Sequence, residues 1–362
     1  MLDYKNPNLK IDSSKIEGGS FSWKSPSNLA IIKYWGKHGV QLPRNPSISF
    51  TLESAFTHTL LEYQPKNNSE EGVVLDFYFN DEPNEAFKIK VQKFLESLTD
   101  IFPFLNQLEL TIRSKNSFPH SAGIASSASS MSALALCLCS LEDELFESLG
   151  DDSEFDKKAS YIARLGSGSA CRSVYPGMAL WGQNDKIVGS SDLYAIPYSE
   201  NIHEVFHGFH DDILIASFAE KSVSSRTGHA LMEGNAFAKP RYEQANERLL
   251  RLLSALKSGD LETFGQITEN EALTLHALMM ASNPSYILMR PNTLKMIELL
   301  RAYRADTKHP IYFSLDAGPN LHVLYPEDIV HEVRPFIDEH LAPLCENNIY
   351  IPDWVGKGPE QL

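Results

Sequence analysis

The chain has 362 residues, of which 43% are hydrophobic and 22% are charged, as in an average globular protein. This composition excludes intrinsic disorder and collagen-like repeats. The length exceeds what one hydrophobic core usually supports, so we expect two domains, with one large domain as the alternative. The formal net charge of −15 is spread along the chain, so the surface repels nucleic acid and any anionic ligand needs a local basic pocket.

The cysteines and the apolar runs indicate a cytoplasmic protein. The four cysteines, Cys137, Cys139, Cys171 and Cys345, form neither a CxxC pair nor a metal-ligand array, so we expect reduced thiols. No apolar run approaches the roughly 18 residues of a membrane span, and the first residues contain no signal-peptide core. We therefore expect no membrane partner.

The first half of the chain predicts a strand-rich, mixed structure. Residues 1–20 are polar and end in "EGGS", which indicates a loosely held extension. Apolar and polar residues alternate in the stretches "LEYQ", "VVLDFYF" and "LELTIRS", which predicts strands. An amphipathic helix is expected over about Glu85 to Leu98. A helix should follow the loop around Pro119, and "EFDKKASYIARLG" should form another that ends at Gly166.

The second half starts a new pattern near residue 200. The stretch "DILIASFAE" predicts a strand, and helices are expected over Arg241 to Ser258, Leu261 to Met280 and Thr293 to Tyr303. A hairpin, "IYFSLDAGPNLHVLY", and a final helix, "HEVRPFIDEHLAPL", follow. We place domains at residues 21–198 and 199–362.

Two segments are rich in glycine and serine. The segment from Phe118 to Ser130 leads from a loop into a helix, where backbone N–H groups and the helix dipole can bind phosphate. It lacks the GK[ST] ending of a Walker A loop, and a tightly packed core helix is the alternative. The segment "GSGSACRS", from Gly166 to Ser173, presents hydroxyl and amide donors beside Arg172, as an anion-binding nest would. The alternative there is a flexible turn with a surface arginine.

Two further segments carry charge at apolar positions. In "KYWGK", Lys33 and Lys37 flank bulky aromatics, and a lysine buried there would need an anionic partner; a lysine that extends to solvent is the alternative. In "SLDAGPN", Asp316 ends an apolar strand before a turn, where it either meets a cation or substrate or bonds its own backbone. His276 is expected to be a core histidine, and "HGFH" lacks further metal ligands nearby.

Together these segments resemble the diphosphomevalonate decarboxylases of the GHMP kinase superfamily. The segments "PSNLAIIKYWGKHGVQLPRNPSISFTL", "FPHSAGIASSAS", "ARLGSGSACRSVYPG", "VSSRTG" and "SLDAGPN" occur in the family's order, between Ser25 and Asn320. The resemblance implies a two-domain α+β fold, with an N-terminal part like ribosomal protein S5 domain 2, a ferredoxin-like C-terminal part, and the active site in the cleft between them.

The resemblance also implies an activity. ATP would phosphorylate the tertiary 3-hydroxyl of (R)-5-diphosphomevalonate, and loss of phosphate and carbon dioxide would then give isopentenyl diphosphate in the mevalonate pathway of isoprenoid biosynthesis. ATP and Mg²⁺ are the implied cofactors, and the sequence assigns no residue as a metal ligand. Superfamily members often dimerise, so a homodimer is an open alternative to a monomer.

Each segment acquires a role through the resemblance. Asp316 corresponds to the catalytic aspartate that orients or deprotonates the 3-hydroxyl, and Lys33 would hold it ionised. Arg172 would bind the substrate carboxylate, with Asn28 near the same centre. The further substrate-binding residues are expected to be Tyr34, Trp35, Gly36, Lys37, Ser167, Gly168, Ser169, Ala170, Cys171, Ser225 and Arg226. The ATP-binding residues are expected to be Gly123, Ser126 and Ser127.

The chain departs from the family's pattern in two places. After the serine pair, relatives usually have threonine and serine, whereas residues 228–240 read "GHALMEGNAFAKP". The family's arginine in the helix near residue 90 is also absent, and Lys88, Lys90 or Lys93 would substitute as a point charge.

These departures leave rival functions open. One is a relative that decarboxylates phosphomevalonate, and another is a mevalonate 3-kinase that stops after phosphorylation. The family's 3-kinase relatives differ at the positions of Asp316 and Lys33, which favours decarboxylation here. A catalytically inactive binding protein with the same fold is the alternative from another class.

Overall fold

The fold was obtained as a computed structural model that describes residues 4–12, 17–66, 71–119, 124, 126–219 and 222–362. Within these residues no helix is both long and apolar enough to cross a lipid bilayer. All four cysteines are buried as free thiols. The predicted ATP-binding residue Gly123 lies outside the described residues.

The first half of the chain is built on one mixed sheet. Its strands are β1 (Gly19–Ile32), β4 (Ser47–Pro65), β5 (Val74–Phe79), β6 (Glu82–Pro83), β7 (Leu108–Asn116), β8 (Met178–Trp181), β9 (Ala195–Pro197) and the C-terminal β14 (Glu360–Gln361). The main order is β14-β1-β4-β7-β5-β6, and β8 joins the far end of β4 and carries β9. A separate hairpin, β2 (Lys37–His38) with β3 (Leu42–Pro43), projects between β1 and β4.

The two long strands β1 and β4 are buried differently along their length. From Ala55 to Leu61, β4 alternates buried and partly exposed side chains, so one face of the sheet packs on helices. From Ser25 to Ile32 every residue of β1 is buried, as expected where both faces of a sheet are covered. The doubly covered end of the sheet is where the second half of the chain packs.

Among the described residues, three helices from the first half of the chain pack on the N-terminal sheet. They are α1 (Glu85–Ser97), α2 (Ser126–Phe146) and α3 (Asp152–Gly166). Asn84 and Asp151 cap α1 and α3 through side-chain acceptors, which explains where these helices begin. The central helix α2 is buried along most of its length, between the sheet and α3.

The second half of the chain forms a smaller antiparallel sheet with helices. Its strands β10 (His210–Leu214), β11 (Tyr312–Leu315), β12 (Leu321–Tyr325) and β13 (Tyr350–Ile351) have the order β11-β12-β10-β13. Its helices are α4 (Ser225–Ala230), α5 (Ala238–Ser258), α6 (Leu261–Met280), α7 (Pro291–Thr307) and α8 (Val330–Phe336). Helix α6 packs on β11 and on β1, and so connects the two sheets. One buried apolar cluster accordingly contains Leu29 and Phe50 as well as Phe264 and Leu324.

Most predicted elements are confirmed. The helix predicted over Leu261 to Met280 has those bounds, and the predicted hairpin is the β11-β12 pair. The flexible turn considered for "GSGSACRS" is wrong: Gly168–Val174 form a buried 3₁₀ helix, because small side chains allow the chain to coil tightly between α3 and the sheet. The domain boundary after Tyr198 stays a prediction.

Candidate active site

A deep cavity of about 820 Å³ lies between the two halves of the chain. It is bounded by the end of β1 and the residues after it, α1, the start of α2, the 3₁₀ helix, α4, α6 and the turn after β11. Of the predicted site residues, the cavity is lined by Asn28, Lys33, Tyr34, Trp35, Lys37, Ser127, Ser167, Gly168, Ser169, Arg172, Ser225, Arg226 and Asp316.

Lys33 and Asp316 form an ion pair at the wall of this cavity. Lys33 Nζ lies 2.8 Å from Asp316 Oδ1, although the two residues are 283 positions apart in sequence. The lysine side chain is 2% exposed and the aspartate side chain 24% exposed. A lysine so deeply buried does not extend to solvent, which excludes that alternative for Lys33.

A second charge network, centred on the fully buried Glu271, holds the backbone of Lys33. The Lys33 N–H donates to Glu271 Oε2 at 2.9 Å, and Arg241 and Asn45 both donate to the Lys33 carbonyl at 3.1 Å. Glu271 also accepts two bonds of 2.6 Å from Arg241 and one of 2.8 Å from Arg248. Burial alone would raise the pKa of Glu271, but Arg241 and the other donors lower it below the ordinary value, so the carboxylate is charged.

Asp316 is held in place from the opposite side. It directly follows β11, and the buried His276 on α6 donates through Nε2 to the Asp316 carbonyl oxygen at 3.1 Å. His276 was expected to be a satisfied core histidine, and this bond is one of its contacts. Helix α6 thus positions Lys33 through Glu271 and Asp316 through His276.

Arg172 is buried beside this pair. Its guanidinium donates to Ser49 Oγ at 2.8 Å, to Ser47 Oγ at 2.6 Å and to Asn28 Oδ1 at 3.3 Å. A guanidinium has five N–H groups, and these bonds to described residues use three of them. Burial is the main cause of the lowered pKa of Arg172, which is 1% exposed and therefore not the surface arginine of the alternative interpretation.

The "YWGK" segment forms an aromatic wall with one basic end. Tyr34 lines the cavity, and its buried hydroxyl has no hydrogen-bond partner among the described residues. Gly36 adopts a φ of +97°, and a Cβ there would come within 2.3 Å of the Tyr242 hydroxyl, so only glycine fits this turn. Lys37 is half-buried and donates to Gln41 at 2.9 Å. Its pKa is lowered first by burial and then by Arg226.

The 3₁₀ helix presents backbone and hydroxyl groups to the same cavity. Ser167, Gly168 and Ser169 line it, whereas Ala170 and Cys171 are fully buried. The side chains of Ala170 and Cys171 therefore lie behind the wall, where they fix the backbone of the residues in front. Gly36 does not line the cavity either, although the turn of its backbone shapes the aromatic wall.

A second cavity of about 300 Å³ lies at the start of α2. Ser126 and Ser127 line it together with three phenylalanines, Phe77, Phe79 and Phe87. Asn116 also lines it, and the buried Asn116 Nδ2 has no hydrogen-bond partner among the described residues. Ser127 lines both cavities, which therefore adjoin.

The large cavity is strongly basic. Its described lining contains one carboxylate, Asp316, and six cationic side chains, namely Lys33, Lys37, Lys90, Lys93, Arg172 and Arg226. Lys88 instead pairs with Asp76 at 3.1 Å. Among the described residues no group of three or more His, Cys, Asp or Glu side chains could hold a metal ion. In a chain of net charge −15, this is the local basic pocket that an anionic ligand requires.

Several residues of these sites were not predicted from the sequence. His229 lines the large cavity, Asn116 lines the smaller one, and Glu271 holds Lys33. A charged residue in the apolar face of α6 was the one available signal for Glu271. For His229 and Asn116 the sequence carried no comparable signal, because their positions depend on how distant elements pack.

Two family models match consecutive parts of the chain. The diphosphomevalonate decarboxylase-like N-terminal domain matches residues 25–195, and the mevalonate 5-diphosphate decarboxylase C-terminal domain matches residues 213–353. Curated diphosphomevalonate decarboxylases are similar to this chain over most of its length. The diphosphomevalonate decarboxylase of Gibberella zeae is 31% identical over 84% of this chain and 81% of its own length. That of Candida albicans is 28% identical over 92% and 90%.

Solved structures of the same family share the fold. Mevalonate diphosphate decarboxylase from Staphylococcus aureus superposes with a TM-score of 0.81 at 27% identity and covers 96% of this chain and 98% of its own. The enzyme from Enterococcus faecalis gives a TM-score of 0.79 at 28% identity, over 96% and 99%. A related structure, with a TM-score of 0.78 and 28% identity over 96% and 99%, holds MVAPP, AMPPCP and magnesium. From its sequence, its two-part GHMP kinase fold and its basic cleft, the chain is a member of the diphosphomevalonate decarboxylase family.

Proposed function

We propose that the protein catalyses the ATP-dependent decarboxylation of (R)-5-diphosphomevalonate to isopentenyl diphosphate, ADP, phosphate and carbon dioxide. The observation that carries the proposal is the Lys33–Asp316 ion pair, which faces a cationic cavity with Arg172 beside it. Family membership adds the reaction class, a carboxy-lyase.

Phosphorylation comes first in this reaction. The Asp316 carboxylate accepts the proton of the tertiary 3-hydroxyl as that oxygen attacks the γ-phosphorus of ATP, and the bond to the departing ADP breaks. Lys33 pairs with the Asp316 carboxylate and offsets negative charge on the transferring phosphoryl group. Asp316 is oriented for this task because its backbone is bonded to His276.

Decarboxylation follows. The bond between the carboxyl carbon and C2 breaks, its electron pair forms the C2–C3 double bond, and phosphate leaves C3. Arg172 is positioned by Ser47, Ser49 and Asn28, and its two N–H groups without a partner among the described residues bind the substrate carboxylate. Holding that carboxylate aligned with the leaving group is how this arginine accelerates the step.

The diphosphate of the substrate occupies the opposite end of the cavity. Lys37 and Arg226 supply positive charge there, while Tyr34, Ser167, Ser169 and Ser225 supply hydroxyl donors. Lys90 and Lys93 lie on α1, where the family's arginine is missing, and both line the cavity. They replace the charge of that arginine but not its planar guanidinium group.

ATP binds across the junction of the two cavities. Ser126 and Ser127 begin a helix of 21 residues, whose N-terminus favours phosphate. The smaller cavity suits a purine base, because aromatic walls stack on the ring and the Asn116 amide can donate to a ring nitrogen.

The donor set around these phosphates fits a Mg²⁺ ion that arrives with ATP. Mg²⁺ is usually held by one or two protein oxygens together with substrate phosphates and water. The cavity offers the Ser127 hydroxyl for this purpose, and the described residues provide no separate acidic cage. When bound, the ion neutralises charge on the triphosphate.

We also propose the compartment, the domain bounds and the assembly in which the protein acts. Four free buried cysteines suit a reducing cytoplasm. We propose that the two domains span residues 21–198 and 199–362. We also propose a homodimer as one assembly, which light scattering would test.

A substrate comparison tests the proposed function. Purified protein is incubated with ATP and with mevalonate, its 5-phosphate or its 5-diphosphate, while ADP and carbon dioxide are both measured. We expect both products with the 5-diphosphate and much slower turnover with the other two substrates. A preference for the 5-phosphate would identify a phosphomevalonate decarboxylase, and ADP alone from mevalonate would identify a 3-kinase.

The Asp316→Asn variant tests whether the site itself is catalytic. We expect turnover to fall by roughly 10²–10⁴-fold, since a positioned general base contributes about that much, while substrate binding stays measurable. Unchanged turnover would remove Asp316 from the mechanism. Absence of turnover in the wild type with all three substrates would favour an inactive binding protein.

A further inference from the structure

We propose that His229 is a substrate-binding residue, whose Nε2–H donates a hydrogen bond to a phosphate oxygen of the phosphorylated substrate. The inference rests on the proposed function and deepens it, because it adds a specificity-determining residue to the diphosphate end of the cavity. It concerns the segment "GHALMEGNAFAKP", where this chain departs from the family's usual residues.

The position of His229 is fixed by three contacts. The Gly36 N–H donates to His229 Nδ1 at 3.0 Å. The imidazole lies against the rings of Tyr34 and Trp35, with centroid distances of 4.3 Å and 4.6 Å. Helix α4 can approach this closely because Gly228 has no side chain, and a Cβ there would come within 2.6 Å of the Trp35 ring.

These contacts also fix where the proton of the imidazole lies. A nitrogen that accepts a hydrogen bond carries no proton, so the neutral ring carries its proton on Nε2. Burial first, and then the positive charge of Lys37, lower the pKa of His229 to about 3. At neutral pH the residue is therefore an uncharged donor with one defined N–H.

The surroundings indicate which ligand this donor serves. His229 lines the cavity together with Lys37 and Arg226, and no hydrogen bond joins its Nε2 to the described residues. An acceptor that satisfies this N–H and both cations is an anionic oxygen with several lone pairs, as in a phosphate group. A neutral donor adds a directional hydrogen bond without placing a third positive charge beside Lys37 and Arg226.

Two substitutions separate binding from a purely structural role. In His229→Asn, the side-chain oxygen can take the place of Nδ1 and accept the Gly36 N–H, but the amide does not reach the position of Nε2. In His229→Gln, the longer side chain can place an N–H near the position of Nε2, but the acceptor for Gly36 is lost. The two variants therefore each keep one of the two functions of the ring.

Steady-state kinetics and thermal unfolding provide the readout. For His229→Asn we expect a thermal midpoint close to that of the wild type and a KM for mevalonate 5-diphosphate raised roughly tenfold or more, since a hydrogen bond to a charged group is lost. We expect kcat and the KM for ATP to change less than about threefold. For His229→Gln we expect a lower thermal midpoint with a KM nearer that of the wild type.

The opposite pattern would overturn the proposal. If His229→Asn leaves the KM for mevalonate 5-diphosphate unchanged while His229→Gln raises it, the histidine only supports the turn at Gly36. If the wild type itself shows no turnover, the proposed function fails separately. Calorimetric titration with inorganic diphosphate then tests His229 directly: weaker binding by His229→Asn supports the assignment, and equal binding refutes it.

Discussion

Lys33 and Lys37 are four residues apart, yet the fold gives their ammonium groups different surroundings. Lys33 is 2% exposed and bonded to Asp316, and its backbone is held by Glu271, Arg241 and Asn45. Lys37 is half-buried at the aromatic wall and bonds to Gln41. We infer that Lys33 acts at the reacting hydroxyl and Lys37 at the diphosphate.

Replacing each lysine by methionine tests this division. Lys33→Met should lower kcat by roughly 10²-fold or more, because the transferring phosphoryl group loses a preorganised positive charge. Lys37→Met should mainly raise the KM for mevalonate 5-diphosphate, by roughly tenfold. The exposed Lys357→Met is the matched control and should change neither. The division fails if both cavity variants alter the same kinetic parameter to the same extent.

His229 also predicts a pH dependence of stability. Its pKa is about 3 in the folded protein, well below the ordinary value of 6.5. Between these values the unfolded chain binds more protons than the folded one, so this group's contribution to the free energy of unfolding is lost as pH falls from 6.5 towards 3.

Denaturant unfolding of the wild type and of His229→Asn at pH 7 and pH 5 measures this effect. The wild type should lose more stability than the variant between the two pH values, by at most about 1.4 kcal/mol per pH unit from this one group. Lys37 is present in both proteins, so the comparison isolates the contribution of His229. Equal losses in both proteins would show that His229 titrates normally.

At the scale of elements, helix α6 determines the catalytic geometry. Glu271 on this helix is fully buried and bonds to the Lys33 backbone, to Arg241 and to Arg248, while His276, five residues further on, bonds to Asp316. The two partners of the catalytic ion pair come from opposite halves of the chain. A shift of α6 would therefore displace both.

Glu271→Gln tests this role of α6. The variant leaves Arg241 buried without its full counter-charge, so we expect a loss of roughly 3–5 kcal/mol in the free energy of unfolding. We also expect a reduced kcat under conditions where the variant is still folded. Glu298→Gln, on the exposed face of α7, is the control and should change stability by less than about 0.5 kcal/mol. If both variants unfold alike, the Glu271 network does not stabilise this region.

The sequence predicted elements and motifs better than it predicted how they meet. The bounds of α6 were predicted from apolar periodicity, and the structure shows that Asp260 caps the helix. The family resemblance placed Lys33 and Arg172 in one site. Coiling of Gly168–Val174 into a 3₁₀ helix was missed, because it depends on packing against α3 and the sheet rather than on local preference.

The positions of His229 and Asn116 were missed for a related reason. His229 is brought to the cavity by the close approach of α4 to Trp35, and Asn116 by the register between β7 and β4. Both are long-range outcomes of packing, which neither periodicity nor a motif reports.

At the scale of the whole molecule, the C-terminal segment from Asp353 onwards connects the two halves of the chain through hydrogen bonds to the first sheet. Asp353, fully buried beyond the smaller sheet, accepts N–H groups from Glu53, Ser54 and Ala55 in β4 at 2.7–2.9 Å, and from Trp354 at 2.8 Å. The chain then returns to the first sheet, where β14 pairs with β1. One carboxylate thus connects backbone segments about 300 residues apart.

Asp353→Asn tests this connection. An amide offers one acceptor oxygen and turns N–H groups towards the other donors, so we expect a loss of roughly 1–3 kcal/mol in the free energy of unfolding. Measurement is by denaturant unfolding, with the exposed Asp306→Asn as control. A loss no larger than that of the control would show that the connection contributes little.

The ratio of carbon dioxide to ADP tests the central claim most directly. Purified protein is given ATP and mevalonate 5-diphosphate, and both products are quantified over the same time course. If Lys33, Asp316 and Arg172 act together in one cavity, phosphorylation and decarboxylation are coupled, and we expect one carbon dioxide for each ADP. ADP without carbon dioxide, or neither product, would contradict the account.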